Sequence, residues 1–197
     1  MLTTRDITRL LTIHLGVEVA PYAAKLVREG YLPRRGDPVD EYEAAHLLLA
    51  VAGSSDPSQS IEVLEQLDSA PLSRMAHGSV RPYATGPVWS LVTDQACYSA
   101  APKTAFDLIA EALFGGDKSL TLRWAAINVG GRSAVFDVEF GSALYRLTYA
   151  APDHGLHDLA GLTRITHLNG DVVAAVADAL HFEGARRMTH PASLELH

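Results

Sequence analysis

The period of the hydrophobic pattern changes near residue 115, and this change constrains the fold of the chain more than any other feature. Before it, apolar residues recur every three or four positions, as in helices that bury one face. After it, they alternate with polar residues, as in strands of a sheet with one buried face. Helices followed by strands predict an α+β protein in which the two kinds of element are segregated.

The same pattern predicts four divisions of the chain. Residues 1–70 are expected to form a four-helix head. Residues 71–102, interrupted by prolines and glycines, are expected to form an irregular linker that is partly held against a core. Residues 103–183 are expected to form an α+β domain with the order α-β-β-β-β-α, an antiparallel sheet flanked by helices. Residues 184–197 are expected to be a flexible tail.

Capping residues set the expected boundaries of the helices in the head. The first helix is expected to end at Gly16, and the second to run from Ala20 to Glu29. The third and fourth are expected to begin at Asp37-Pro38 and Asp56-Pro57, where Asp caps free amides and Pro supplies a preset φ. The third helix is apolar on more than one face, which places it either at the centre of the fold or at a subunit contact.

The alternating segments predict strands at about 120–126, 134–140, 143–149 and 162–168, followed by a helix from Val172 to Phe182. Short glycine-containing turns connect the first three strands and fix their register. Three pairings follow from that register: Trp124 opposite Phe136, Val138 opposite Tyr145, and Asp137 between Arg123 and Arg146 on the polar face.

The composition is that of a globular protein, with 48% hydrophobic and 20% charged residues and a net charge of −7. This acidity excludes a protein that coats nucleic acid over its whole surface. Cys97 is the single cysteine, so no internal disulfide can form, and a reducing cytoplasm is expected. No signal peptide or membrane span is recognised, so a cytoplasmic protein without membrane contact is expected.

Charge is distributed unevenly along the chain. Residues 1–36 carry six basic and three acidic side chains, whereas residues 37–75 carry one basic and eight acidic side chains. A basic head on an acidic body is typical of a localised surface that binds anions.

The first two helices are similar to a helix-turn-helix, with Gly16 in the turn and apolar Leu11, Leu15 and Val17 around it. Thr12 stands where that motif has a small apolar residue. Ala23 and Leu26 fit the inward positions of the second helix only if the turn is one residue longer than usual.

The segment 25–36 and the helix that follows it, at 40–52, resemble MerR-type and related winged-helix regulators. The chain also resembles bacteriophage and prophage proteins with a helical head and a small α+β tail. The resemblance implies a transcriptional regulator of a mobile element that binds double-stranded DNA, and a homodimer is expected because one short head reads few base pairs. The residues implied in DNA contact are Tyr22, Lys25 and Arg28 in the major groove, and Arg34 and Arg35 on phosphates.

A second interpretation is a non-catalytic inhibitor or phage assembly adaptor that masks a protein partner. The acidic residues between 37 and 68 would then form the contact surface, with Asp40, Glu41 and Glu43 as its predicted residues. Such a face could mimic DNA and occupy a basic channel.

Catalysis and cofactor binding are not expected. His154 and His157, flanked by Asp153 and Asp158, are ligand types suited to zinc, but Gly155 weakens the helix that two ligands at this spacing need. Cys97 has no positional link to a histidine and is expected to be an idle thiol.

Overall fold

The computed structural model describes residues 2–34, 36–79, 86–114, 120–130, 132–150 and 165–188, with only the backbone considered for 183–188. It confirms the α+β class, with helices first and an antiparallel sheet after them. None of the described helices combines the length and the apolar character needed to cross a membrane. The helices are α1 (Thr4–Leu15), α2 (Ala20–Glu29), α3 (Glu41–Gly53), a short 3-10 turn (Pro57–Gln59), α4 (Ser60–Ser69), α5 (Gln95–Ala100), α6 (Ala105–Phe114) and α7 (Gly170–Met188). The strands are β1 (Leu72–Ser79), β2 (Val88–Leu91), β3 (Leu120–Asn128), β4 (Ser133–Phe140), β5 (Ala143–Ala150) and β6 (Ile165–Asn169).

The sheet extends beyond the predicted four strands. In the described residues it has six strands in the order β2-β1-β5-β4-β3-β6, and all neighbours are antiparallel. The segment 71–102, for which sequence analysis predicts an irregular linker, instead supplies β1, β2 and α5. Its alternation is hidden because β1 contains small and polar residues and pairs with β5, some 70 residues away in the chain.

A β-bulge in β3 changes the predicted register. Val138 lies opposite Tyr145, as predicted, but Trp124 lies opposite Asp137 and not opposite Phe136. The register shifts between Leu122 and Trp124, so the bulge turns both Arg123 and Trp124 to the polar face. Ala125 takes the place opposite Phe136 in the core. The strict alternation predicted for this strand is therefore wrong after Leu122.

Helix α3 lies at the centre of the molecule. Apart from His46, every residue from Ala44 to Gly53 is buried, and the helix packs against α2, α4, α6, α7, β3 and β6. A single cluster of buried side chains runs from Ile7 in α1 to Leu180 in α7, so head and sheet share one core. Of the two interpretations of α3, central position is the correct one, and its apolar surface gives no support to a subunit contact.

Three predicted boundaries are corrected by the structure. Helix α3 begins after Asp40, not at Asp37, because Asp40 and Glu43 form a reciprocal capping box. Helix α4 begins at Ser60 and not at Asp56-Pro57, because Asp56 caps a separate 3-10 turn that precedes it. The last helix continues to Met188, beyond the predicted start of a loose tail at Gly184.

Gly170 sits where α7 starts against the backbone of β3. A Cβ atom at Gly170 would lie 1.9 Å from the carbonyl oxygen of Leu122. We expect Gly170→Ala to lower the free energy of unfolding by about 1–3 kcal/mol, because helix and strand must separate. Urea denaturation measures the change. Gly86→Ala is the matched control, since a Cβ there meets nothing within 4 Å. Equal losses for the two variants would contradict this close approach.

Candidate functional site

Helices α1 and α2 form a helix pair joined by the turn 16–19. Gly16 ends α1 in the left-handed conformation, with φ 66°, which favours glycine. The hydroxyl of Thr12 accepts a hydrogen bond from the amide of Val19 at 3.4 Å. Thr12, which stands where a helix-turn-helix has a small apolar residue, thus connects α1 to the end of the turn. The buried seam of the pair comprises Ile7, Leu11, Val19, Ala23 and Leu26.

The seam tests the predicted turn. Ala23 and Leu26 are buried, as the longer turn requires. Val17, predicted among the apolar residues around the turn glycine, is 47% exposed, and Val19 takes the inward place. Val19, three residues after Gly16, therefore replaces Val17 in the buried seam of the pair.

The chain that follows α2 returns to the start of α1. The hydroxyl of Thr4 donates to the carbonyl of Pro33 at 3.2 Å, and the amide of Val39 donates to the carbonyl of Leu2 at 2.9 Å. These bonds hold the corner that carries Arg34 beside the first turn of α1, which carries the exposed Arg5. The helix pair and this corner together form what we call the basic head surface, comprising Arg5, Arg9, Lys25, Arg28 and Arg34.

The five residues predicted to contact DNA lie in different environments. Arg28 and Arg34 are exposed. Lys25 is half-buried, and Tyr22 is half-buried against the core with its hydroxyl donating to the carbonyl of Ser54 at 3.3 Å. Tyr22 therefore contributes to the contact between α2 and the end of α3. Arg35 lies outside the described residues.

Glu29 is the acidic partner of the cations on α2. Its Oε1 lies 2.9 Å from Nζ of Lys25 and 3.3 Å from Nε of Arg28. These hydrogen bonds, first from Lys25 and then from Arg28, hold the pKa of the Glu29 carboxyl below its usual range. Because all three groups reach solvent, the pairs are weak and exchange readily with another anion.

The predicted acidic contact residues are mostly engaged within the chain. Asp40 accepts from the amide of Glu43, and the Glu43 carboxylate accepts from the amide of Asp40, each at 2.8 Å. Burial raises the pKa of the Glu43 carboxyl. Glu41 is half-buried in the first turn of the helix. Further exposed acids of this region lie on α4, at Glu62, Glu65 and Asp68.

His46 belongs to a cluster of aromatic rings beside α3. It stacks on Phe106 with ring centroids 4.5 Å apart and meets Tyr31 edge-on at 5.1 Å. Its Nδ1 is buried and has no hydrogen-bond partner among the described residues. Burial lowers the pKa of the imidazole, and the negative charges of Asp68 and Asp40 oppose that shift in part. His14, in contrast, is exposed near the end of α1.

The predicted metal candidates His154 and His157 lie outside the described residues. Within the described part of the chain, no group of three or more His, Cys, Asp or Glu side chains is arranged to hold a metal ion. Cys97 is half-buried at a cavity of about 180 Å³ with apolar walls, including Met75 and Tyr145.

A second polar constellation lies on the sheet, where sequence analysis predicts only paired charges. Arg146 forms two hydrogen bonds of 2.7 Å with the carboxylate of Asp137, and its guanidinium lies 4.2 Å from the ring centroid of Trp89. The Asp137–Arg146 pair is thus confirmed, whereas Arg123 bonds Glu139 at 2.8 Å and not Asp137. The sequence does not predict the contact of Trp89 with Arg146, because Trp89 lies in the segment expected to be a linker, 57 residues before Arg146.

No protein-family model, curated protein or solved structure matches this chain. The likeness to helix-turn-helix and MerR-type regulators therefore stays a prediction, and so does the likeness to phage proteins.

Burial of His46 predicts a pH dependence of stability. Because its pKa is lower in the folded state than in the unfolded state, the unfolded chain binds more protons below about pH 6.5. We expect the free energy of unfolding to fall as the pH drops from 7 to 5, and His46→Phe to reduce that fall. Urea denaturation at several pH values measures it, with exposed His14→Gln as the control. An unchanged slope in His46→Phe would contradict the shift.

The cap of α3 predicts different effects for two neighbouring carboxylates. Asp40→Ala is expected to lower the free energy of unfolding by about 1 kcal/mol, because the amide of Glu43 loses its acceptor. Asp37→Ala is the control and is expected to change it by less than about 0.5 kcal/mol, since Asp37 is exposed. Thermal or urea denaturation measures both. A larger effect at Asp37 would return the start of the helix to Asp37.

Proposed function

We propose that the protein is a transcriptional regulator that binds double-stranded DNA through its basic head surface. The observation that carries this proposal is the α1–α2 pair itself. Its seam is buried, and the two helices with the corner that follows them carry five cations on a protein whose net charge is −7. A local basic surface on an acidic body favours contact with phosphates at one place and disfavours adhesion elsewhere.

The contacts within the head distinguish residues suited to phosphates from residues that could reach bases. Arg28 lies in the last turn of α2, and Arg34 lies on the corner that Thr4 holds against α1. Both are exposed and suited to phosphates. Lys25 and Tyr22 are half-buried. Contacts from α2 to the base edges would therefore be limited to the exposed parts of these side chains.

A homodimer remains part of the proposal on one argument alone. A single helix pair reads few base pairs, so two heads on two half-sites are needed for useful selectivity. Since α3 is buried within the chain, it is not the surface on which the dimer would form.

The masking of a protein partner stays the alternative prediction. Asp40 and Glu43 are occupied in capping α3, so this alternative would depend on Glu41 and on the exposed acids of α4.

Fluorescence anisotropy of a labelled duplex carrying the gene's upstream sequence tests the DNA proposal. We expect Arg28→Ala/Arg34→Ala to weaken binding across all sequences and to reduce the slope of log K against log salt by about 1.8, because two phosphate contacts are lost. Lys103→Ala, which removes an exposed cation beside α6, is the control and should leave the slope unchanged. An unchanged slope in the double variant would overturn the assignment of the head surface.

Glu29→Gln provides the opposite change at the same surface. It removes the carboxylate shared by Lys25 and Arg28, so both cations become available to phosphate. Under the proposal this variant binds the duplex more tightly than the wild type. If it binds equally or more weakly, Lys25 and Arg28 do not face DNA.

A further inference from the structure

One face of the sheet is covered by helices, and the opposite face is mostly exposed or half-buried. We call the latter the open face. Helices α3, α6 and α7 pack on the side that carries Phe136 and Leu147. Among the residues that the structure describes on the open face, only Gly78, Thr148 and Ala150 are buried. Both tryptophans of the chain, Trp89 and Trp124, lie on this face, together with Arg74, Arg123 and Arg146.

The ring of Trp89 contacts two neighbours on the sheet, Gly78 and Arg146. A Cβ at Gly78, its partner on β1, would lie 3.0 Å from the Trp89 ring, so glycine leaves the space in which the indole lies. The guanidinium of Arg146 covers the same ring at 4.2 Å and is itself fixed by the two bonds to Asp137. A base that stacks on this guanidinium meets a surface that is already fixed, so little entropy is lost there on binding.

A groove of about 210 Å³ lies beside this ring. Apolar atoms and two guanidinium groups surround it, and its lining residues are Arg74, Ala76, Trp89, Leu91, Arg146 and Thr148. Arg146 is neutralised by Asp137. Arg74 is exposed and makes no hydrogen bond or ion pair with any residue that the structure describes. The groove therefore offers one uncompensated guanidinium next to an aromatic plane.

A second aromatic platform lies on the other half of the open face. The ring of Trp124 stacks on that of His167, with centroids 5.3 Å apart and an interplanar angle of 29°. Arg146, Asp137 and Trp124 are in register across neighbouring strands, and Trp89 lies two strands beyond Arg146. At about 4.8 Å per strand, the two tryptophans are separated by roughly 19 Å across the sheet.

We propose that the open face binds single-stranded nucleic acid that crosses the strands of the sheet. One base stacks on the Arg146 guanidinium that covers Trp89, a second base stacks on the Trp124–His167 pair, and a phosphate at the groove pairs with Arg74. Unpaired bases are required, because stacking on a side chain needs a free base plane. Three arginines against two carboxylates make the face locally cationic, which fits a polyanion. This site is separate from the duplex site proposed on the head.

The two tryptophans make the site directly observable. Titration of the full chain with a 12-nucleotide oligothymidine is expected to quench intrinsic fluorescence, because both emitters lie under the bases. A 12-base-pair duplex that binds the head is expected to leave this fluorescence unchanged. Loss of duplex binding and loss of quenching are therefore separate results, so failure of one proposal does not decide the other.

Variants of the groove test the placement of the strand by anisotropy of labelled oligothymidine. Trp89→Ala should weaken binding by about five- to a hundredfold and Trp89→Phe by less, since one stacked base is lost or retained. Gly78→Ala should weaken binding while keeping every ligand-contacting side chain. Should any of these variants fail to fold, Arg74→Ala keeps the test decisive, because Arg74 is exposed and unpaired among the described residues. It should weaken binding and reduce the salt slope by about 0.7. Lys103→Ala is the control and should change affinity less than about twofold.

Three results would overturn the proposal. The first is no quenching by oligothymidine, or an affinity for oligothymidine in Arg74→Ala and Trp89→Ala that equals that of the wild type. The second is equal quenching by thymidine monophosphate at the same nucleotide concentration, which would indicate a site for a free nucleotide. The third is displacement of the oligothymidine by oligoglutamate of the same length at equal concentration, which would indicate an acidic peptide.

Discussion

The burial of α3 is the constraint on which the rest of the structure depends. The helix has almost no polar surface after Glu43, so elements must cover it on every side, and α2, α4, α6 and the sheet do so. Gly53 closes its end: a Cβ there would lie 2.5 Å from Val63 of α4, and its carbonyl accepts from the amide of Gly130 at 2.8 Å. Since Gly130 lies in the turn between β3 and β4, the end of the central helix is tied directly to the sheet. Head and sheet are consequently parts of one core.

The features that sequence analysis predicts correctly are those fixed by local interactions. The ends of α1 and α2 follow from Gly16 and Gly30, both at positive φ, and the register of β4 and β5 follows from the tight turn at Gly141. Non-local features escape it. The bulge in β3 leaves no local signal that distinguishes it from plain alternation, and it reverses which side chains face the core beyond that point. Strands β1 and β2 are short of branched apolar residues, and their stability comes from pairing with a strand far along the chain.

The candidate sites divide in the same way. The sequence places cations around α2, and the spacing of Lys25 and Glu29 on one helix face makes their ion pair predictable. That Tyr22 would bond the end of α3 is not predictable, because this contact exists only once α3 is packed. The groove at Trp89 is the extreme case. The tryptophan, the glycine and the arginine of this groove come from three different strands. The bulge that turns Trp124 to the open face interrupts a strand for which the sequence predicts regular alternation.

The acidic character of the whole chain restricts how either surface can bind a polyanion. Eight of the acidic residues lie between positions 37 and 75, on or near α3 and α4, so repulsion is concentrated on one part of the molecule. At physiological salt the field of those carboxylates decays over about 8 Å, so an acid beside the head, such as Asp37 next to Arg34, opposes a bound polyanion more than distant acids do. The head depends on several cations and hence on counterion release, whereas the open face has one unpaired guanidinium and depends mainly on stacking. Because stacking is nearly independent of salt, rising ionic strength should weaken the proposed binding of duplex DNA to the head more than the proposed binding of single strands to the open face.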